Sequence, residues 1–269
     1  MRYLSAMSSS NESLPSQLSA VATGHRGVAP HRSANSQAAN GSEALVLDLF
    51  GTLVAAPDIA ERGVAVAELA SALGVTAGAV EAELSASWRV RHDGELRSAA
   101  AVAGHLVERC SASADRTARA ASVLRRLATA RLRPDESVCR ALAELQRSGL
   151  RLALLSDASP DIAECWSESA LASYFEVAAF SCWEGAVKPA PHLYGGLLAR
   201  LGVAPANAVY CGDGGGDELT GAQRLGMRPL RVLRRGGAHR LAFGETPWSG
   251  ASVPSIEALP AALASGWPV

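Results

Sequence analysis

A few polar residues, each placed just after an apolar run or beside a glycine, carry the chemical potential of this chain. Asp48 ends the run Ala44-Leu45-Val46-Leu47 and is followed by Gly51 and Thr52. Ser156 ends Arg151-Leu152-Ala153-Leu154-Leu155. Asp213 and Asp217 stand in Gly212-Asp213-Gly214-Gly215-Gly216-Asp217, after Ala208-Val209-Tyr210-Cys211. Carboxylates that converge on one rim repel each other, and a divalent cation relieves the repulsion. Hard oxygen ligands select Mg²⁺ for that place. The hydroxyls of Thr52 and Ser156 and the ammonium of Lys188 add donors and a positive charge. Acceptors, metal and donors together describe a phosphoryl-binding site. A carboxylate in such a site can itself be the nucleophile, through an aspartyl-phosphate.

Lys188 is unusual in its own right. Of the 25 Lys and Arg residues it is the only lysine. Guanidinium is a wide planar fork, whereas ammonium is a compact point charge on a flexible stem. A pocket crowded with carboxylates needs the compact charge.

These residues require elements that bring them to one place. The run at 44–47 suits a strand buried on both faces. The run at 151–155 is the second strand, 177–180 the third, 208–211 the fourth and 229–233 the fifth. Helices are expected between them: one opened by Pro134-Asp135-Glu136 and stopped by Gly149, one opened by Ser159-Pro160-Asp161, and others over 191–201 and 219–225. Strands alternating with helices imply an α/β fold, a Rossmann-like doubly wound parallel sheet with helices on both faces. Ligands bind such sheets beyond the carboxyl ends of the strands. Residues 57–133 differ. They are rich in Ala, Leu, Arg and Glu, with helical spacing at Val66, Leu69, Ala70 and Leu73. They are expected to form an all-helical cap inserted into a core made of 43–56 and 134–269. The basic stretch 119–131 reads as a solvated helix face.

The motifs, in order and at those strand ends, resemble the haloacid dehalogenase (HAD) superfamily. They are Asp48-Leu49-Phe50-Gly51-Thr52-Leu53, Ser156, Lys188-Pro189 and Gly212-Asp213 followed by Asp217. The helical insert after the first motif is similar to the C1 cap of that family. The resemblance implies that Asp48 is nucleophile and Mg²⁺ ligand and that the Phe50 carbonyl is a second ligand. It implies that Gly51, Thr52 and Ser156 hold the phosphoryl oxygens and that Lys188 neutralises nucleophile and phosphate. Asp213 would be the remaining metal ligand, with Asp217 supporting the metal waters or Lys188.

One position departs from the phosphatase pattern. Family phosphatases usually carry a second Asp two residues after the nucleophile, as general acid and base, and here that residue is Phe50. General acid–base catalysis is worth roughly 10²–10⁴-fold. Three outcomes fit: a good leaving group, a proton from a cap residue, or slow turnover. The dehalogenating branch lacks that Asp too, but does without a metal, and its fourth motif resembles Ser-Ser-Asn where this chain has Gly212-Asp213-Gly214. The expected function is therefore a Mg²⁺-dependent hydrolase of a small phosphorylated metabolite. A metal-independent 2-haloacid dehalogenase and a weakly catalytic HAD-fold binding protein remain as alternatives.

Substrate-reading residues are expected in the cap, at Trp88-Arg89-Val90-Arg91-His92-Asp93. Arg89 and Arg91 would bind anions there. His92 or Glu184 would replace the missing acid. Asp157 reads as a turn or capping acid and His192 as structural. The net charge of −1 and 5% aromatic content give no nucleic-acid footprint or polybasic membrane surface. The five cysteines are odd in number, widely spaced and without a C-x-x-C pair, as in reduced cytosolic proteins. Residues 1–42 lack periodicity and an apolar core segment, which reads as a disordered leader in a cytoplasmic protein.

Overall fold

The computed structural model describes residues 43–233 and 247–265. The expected leader at 1–42 lies outside the described residues. The centre is a parallel sheet of six strands in the order β3-β2-β1-β4-β5-β6. These are β1 (Ala44–Leu47), β2 (Arg151–Ser156), β3 (Val177–Phe180), β4 (Ala208–Gly212), β5 (Arg228–Val232) and β6 (Ser252–Val253). The sixth strand was not expected. Two residues are too few to show a period of two.

Every residue of β1 and β4 is buried, as strands covered on both faces require. Successive side chains point to opposite faces, and the core divides accordingly. Leu45, Leu47, Leu152 and Leu154 pack on one side with Leu142 and Leu145 of α6 (Glu136–Arg147) and Ile162 of α7 (Pro160–Cys165). Val46, Ala153, Leu155 and Tyr210 pack on the other with α9 (Pro191–Leu201) and α10 (Glu218–Arg224). The sheet is thus an α/β/α sandwich.

Register places the functional ends level. Leu47 pairs with Leu154 of β2 on one side and Cys211 of β4 on the other. The functional residues follow at one edge, Asp48 one residue past that row and Ser156 and Asp213 two. β1 sits where the chain order reverses, so the crevice of a doubly wound sheet opens over its end.

Between β1 and α6 run five helices: α1 (Ile59–Leu73), α2 (Ala77–Ala86), α3 (Trp88–His92), α4 (Ala99–Arg109) and α5 (Thr117–Arg131). Asp58 and Glu61 form a reciprocal capping box at the start of α1, and Gly74 closes it in the left-handed conformation. Leu69, Leu73, Val80, Val102, Leu106, Ala120 and Leu124 make a separate hydrophobic cluster. The spacing that predicted helices here buries Leu69, Ala70 and Leu73, as it should.

This helical unit meets the strand-bearing part at a few points. Glu164 of α7 accepts from Ala99 N at 3.0 Å and pairs with Arg125 at 3.3 Å. Arg97 donates to the Trp183 carbonyl at 3.1 Å. A Cβ at Gly94 would stand 2.8 Å from Gly185 Cα, so two backbones touch there. The outer face of α5 carries Arg125 and Arg126, paired to Glu164 and Glu68. Arg131, at its end, is exposed as expected of that face, and its guanidinium lies over the Phe50 ring. Among the described residues no single helix is long and apolar enough to cross a membrane.

Candidate active site

The site is built at the ends of β1, β2 and β4. Asp48 follows β1 directly, and its N–H donates to the Cys211 carbonyl at 2.9 Å. The chain then turns tightly. Leu53 N and Val54 N both donate to the Leu49 carbonyl, and Gly51 N donates to the Val54 carbonyl at 2.7 Å. Gly51 has φ +82°, a region in which a residue without Cβ is at ease. The turn brings the Thr52 hydroxyl back to Asp48 Oδ2 at 3.4 Å. The Phe50 carbonyl takes no part in these hydrogen bonds.

Lys188 reaches the same point from beyond β3. Its ammonium lies 2.6 Å from Asp48 Oδ1, 2.5 Å from Glu218 Oε2 and 3.3 Å from the Tyr210 hydroxyl. Asp157 holds the loop by accepting from Lys188 N at 3.0 Å, a specific form of the capping role expected of it. The Lys188-Pro189 peptide is cis.

Asp48, Asp213 and Glu218 gather their carboxylate oxygens within 4.8 Å of one another, and all three are buried. Here the sequence reading needs correction. Asp217 was expected to support the metal or Lys188, but it is exposed and occupies the left-handed N-cap position of α10, φ +58°. That conformation turns residue 217 outward and residue 218 inward, and Glu218 takes the inner place. Glu218 Oε1 accepts from Gly214 N at 2.9 Å and Oε2 from Tyr210 at 2.7 Å. A side chain at Gly212 would collide with this carboxylate.

The electrostatics follow from burial. Desolvation pushes the Asp48 carboxyl up; Lys188 opposes this, while Glu218 and Asp213 reinforce it. Burial alone would lower Lys188, but Asp48, Glu218 and Asp157 raise it well above its ordinary value, so it stays an ammonium. Asp48 and Glu218 thus share the Lys188 ammonium with Asp213 close beside them, a set with room for the charge of a hard dication. Asp48 and Asp213 offer oxygen donors suited to Mg²⁺. Ser156 completes the other half. Its hydroxyl is buried with no hydrogen-bond partner. Buried polar groups are nearly always satisfied, so an orphan at the end of β2 marks a place for a ligand oxygen.

The expected cap patch is not assembled in that form. Arg91 donates to the Leu84 carbonyl at 2.6 Å and to Ser87 at 3.3 Å, inside the helical unit. His92 is buried, stacks on Trp88 and bonds its carbonyl at 2.7 Å. Burial drops its pKa to about 3, so it is neutral at ordinary pH and holds no proton to give. Arg89 pairs with Asp93 at 3.4 Å on an exposed helix face. Glu184 pairs with Arg200 at 3.1 Å, and His192 is exposed. None of these replaces the missing acid. The residue standing over Phe50 is Arg131, its guanidinium carbon 4.5 Å from the ring centroid.

The chain belongs to the haloacid dehalogenase-like hydrolase family, whose model matches residues 43–226. Among characterised relatives, a phosphoserine phosphatase from Thermus thermophilus is 38% identical over 94 residues, covering 35% of this chain and 38% of the relative. The chain thus aligns with well under half of that protein's length. Among solved structures, the fold is similar to L-2-haloacid dehalogenase from Xanthobacter autotrophicus, with TM-score 0.56 and 20% identity, over 82% of this chain and 98% of that one. It is also similar to a HAD-family enzyme from Bacteroides thetaiotaomicron in complex with magnesium and inorganic phosphate. There the TM-score is 0.58 and the identity 15%, over 73% and 97% of the two chains. A HAD phosphatase from Thermococcus onnurineus gives a TM-score of 0.58 at 18% identity, over 83% and 99%.

Replacing Lys188 with Met removes the ammonium bonded to Asp48 and Glu218. Breaking a buried pair in this way is expected to cost about 3–5 kcal/mol. The buried Asp48 carboxyl, already pushed up by desolvation, then holds its proton at a higher pH in the folded state than in the unfolded chain. The folded variant binds more protons, so its stability falls with rising pH and its deficit shrinks on acidification from about pH 8 to about pH 5. Denaturant midpoints with a chelator present measure this. A deficit that stays constant across the range contradicts the assignment.

Proposed function

We propose that this protein is a Mg²⁺-dependent hydrolase of a small phosphorylated metabolite, acting through a phosphoryl-enzyme on Asp48. The observation that carries the reading is the unpartnered buried hydroxyl of Ser156, at the end of the strand next to the one that delivers a carboxylate held by Lys188. The Asp48 carboxylate attacks phosphorus. A bond forms from carboxyl oxygen to phosphorus as the bond to the leaving group breaks, and the leaving group keeps the electron pair. Water then attacks phosphorus, displaces the carboxylate and gives inorganic phosphate.

The protein's own residues divide this work. Lys188 keeps Asp48 oriented and offsets charge on the phosphoryl group. Ser156 and Thr52 donate to phosphoryl oxygens, with the Gly51 turn shaping the approach. Glu218, pinned by Tyr210 and Gly214, fixes Lys188 in place, a role the sequence pattern gave to Asp217. Asp48, the Phe50 carbonyl and Asp213 would hold Mg²⁺, which supplies a positive charge that brings two anions together. Residues 57–133 serve as a cap over this edge, with 43–56 and 134–269 as core.

Phe50 holds no transferable proton, and neither His92 nor Glu184 is placed to supply one. The substrates that fit are those whose leaving group departs as a stable anion, such as acyl or anomeric phosphates. Phe50 also favours a second reading, hydrolytic dehalogenation of a 2-halo acid, because halide needs no proton. Asp213 weighs against it, since a further buried carboxylate facing Asp48 and Glu218 calls for more positive charge than the one ammonium those two share.

Three measurements test the proposal. Phosphate release from a phosphomonoester and acyl-phosphate panel should require Mg²⁺, stop with chelator and vanish in Asp48→Asn. Halide release from 2-chloropropionate that chelator leaves untouched would replace this reading with the second. Ser156→Ala should leave the melting temperature unchanged or raise it, because it deletes an unsatisfied buried group. The same variant should lose the stabilisation that inorganic phosphate gives the wild type; unchanged stabilisation would remove Ser156 from the site. Phe50→Asp should raise turnover of ordinary alkyl phosphates by up to about 10²–10⁴-fold. No gain would mean that a proton donor is already present.

A further inference from the structure

Asp213 is carried on a soft piece of chain. The three residues after it are all glycine, with φ +100° at Gly214 and +60° at Gly216. Glycine has the widest backbone freedom of any residue, so a carboxylate on such a loop has no fixed direction unless the loop is pinned. β4 ends at Gly212, and its ladder with β5 ends there too, with Gly212 opposite Arg231. The main-chain N–H of Arg231 is turned the other way, to the Ala251 carbonyl at 3.0 Å. Its side chain continues the hold. Leu230 and Val232 pack into one face of the sheet, so Arg231 between them points to the other. There its Nε donates to the Asp213 carbonyl at 3.0 Å. A Cβ on Gly214 would stand 3.5 Å from that Nε and 3.7 Å from Leu219 Cδ1, so the guanidinium and α10 close over the loop. Two bonds complete the pinning. Gly215 N donates to Asp213 Oδ1 at 2.8 Å, and Gly214 N to Glu218 Oε1 at 2.9 Å. Of these anchors only Arg231 comes from a neighbouring strand.

A guanidinium beside a cation site has two opposed effects. As a positive charge it repels a dication. As a donor it orients the chain that carries a ligand carboxylate. Arg231 is only partly buried, so water screens its charge. Three glycines released from their anchor would regain a large conformational entropy. We infer that Arg231 is a positioning residue of the metal site, holding the Asp213 peptide so that its carboxylate meets Asp48 in one orientation, and that it tightens Mg²⁺ binding in spite of its charge. The inference rests on the Mg²⁺ reading above and adds to it a residue that acts through Asp213.

The test titrates Mg²⁺ calorimetrically into the full chain without substrate. Arg231→Met should bind Mg²⁺ about tenfold or more weakly than the wild type. Arg231→Lys, which returns a donor and the charge, should recover part of that loss. A merely structural role would lower the fraction of chain able to bind, read as stoichiometry, and leave the dissociation constant alone. Binding in Arg231→Met that equals or exceeds the wild type, or a change confined to stoichiometry, overturns the inference and leaves the metal reading standing. Should Arg231→Met fail to fold, Arg231→Gln takes its place with the same two outcomes. A wild type that takes up no Mg²⁺ sinks the metal reading and this inference with it.

Discussion

The ammonium of Lys188 is the constraint on which the rest of the site depends. Three carboxylates are drawn out of water at one sheet edge, and like charges about 4 Å apart repel by roughly 4 kcal/mol at an effective dielectric near 20. Desolvation adds several kcal/mol per ion. A cation must enter that space and touch several oxygens from one point. The Lys188 Nζ does so, reaching Asp48, Glu218 and Tyr210 within 2.5–3.3 Å. An arginine fork would spread its charge over a wider area than these acceptors span. In a chain that otherwise uses arginine, the single lysine sits at the one place where the geometry calls for it.

Asp48 and Phe50 stand in surroundings of opposite character. Around Asp48 paired charge is dense, with Lys188 and Glu218 converging on it. Phe50 lies beneath a guanidinium. The first setting is built at the ends of the sheet strands, and the second is contributed by a helix outside the sheet. A turn with φ +82° at Gly51 is the link between them, since it places Thr52 back on Asp48 while leaving Phe50 facing away from the carboxylate hydrogen bonds.

Much of this was legible in the sequence because strands buried on both faces leave unbroken apolar runs. Ala44 to Leu47 and Ala208 to Cys211 announce their strands, and the polar residue that ends each run is the one that reaches the rim. Asp48, Ser156 and Asp213 were singled out that way, and Lys188 as the only lysine. Glu218 was not. It neighbours an aspartate at a familiar spacing, and only the left-handed backbone at Asp217 settles which of the two faces inward. The stacking of Arg131 on Phe50 was not legible either: in sequence it is one more arginine of a basic helix, and nothing local marks the one that meets an aromatic ring. His92 misled because a titratable ring in a cationic stretch reads as functional until packing buries it against Trp88.

The touch between Gly94 and Gly185 has a bearing on how freely the chain can vary. Loops are where substitutions are usually absorbed, and residue 94 lies on one. Yet at that place the joint is only two main chains thick, with φ of +92° and +81°. Even a single methyl would act as a wedge, prising helices from sheet and opening a gap for water beneath them. A surface position is thereby held as tightly as any in the interior, and the freedom to diversify is left to the helices on either side.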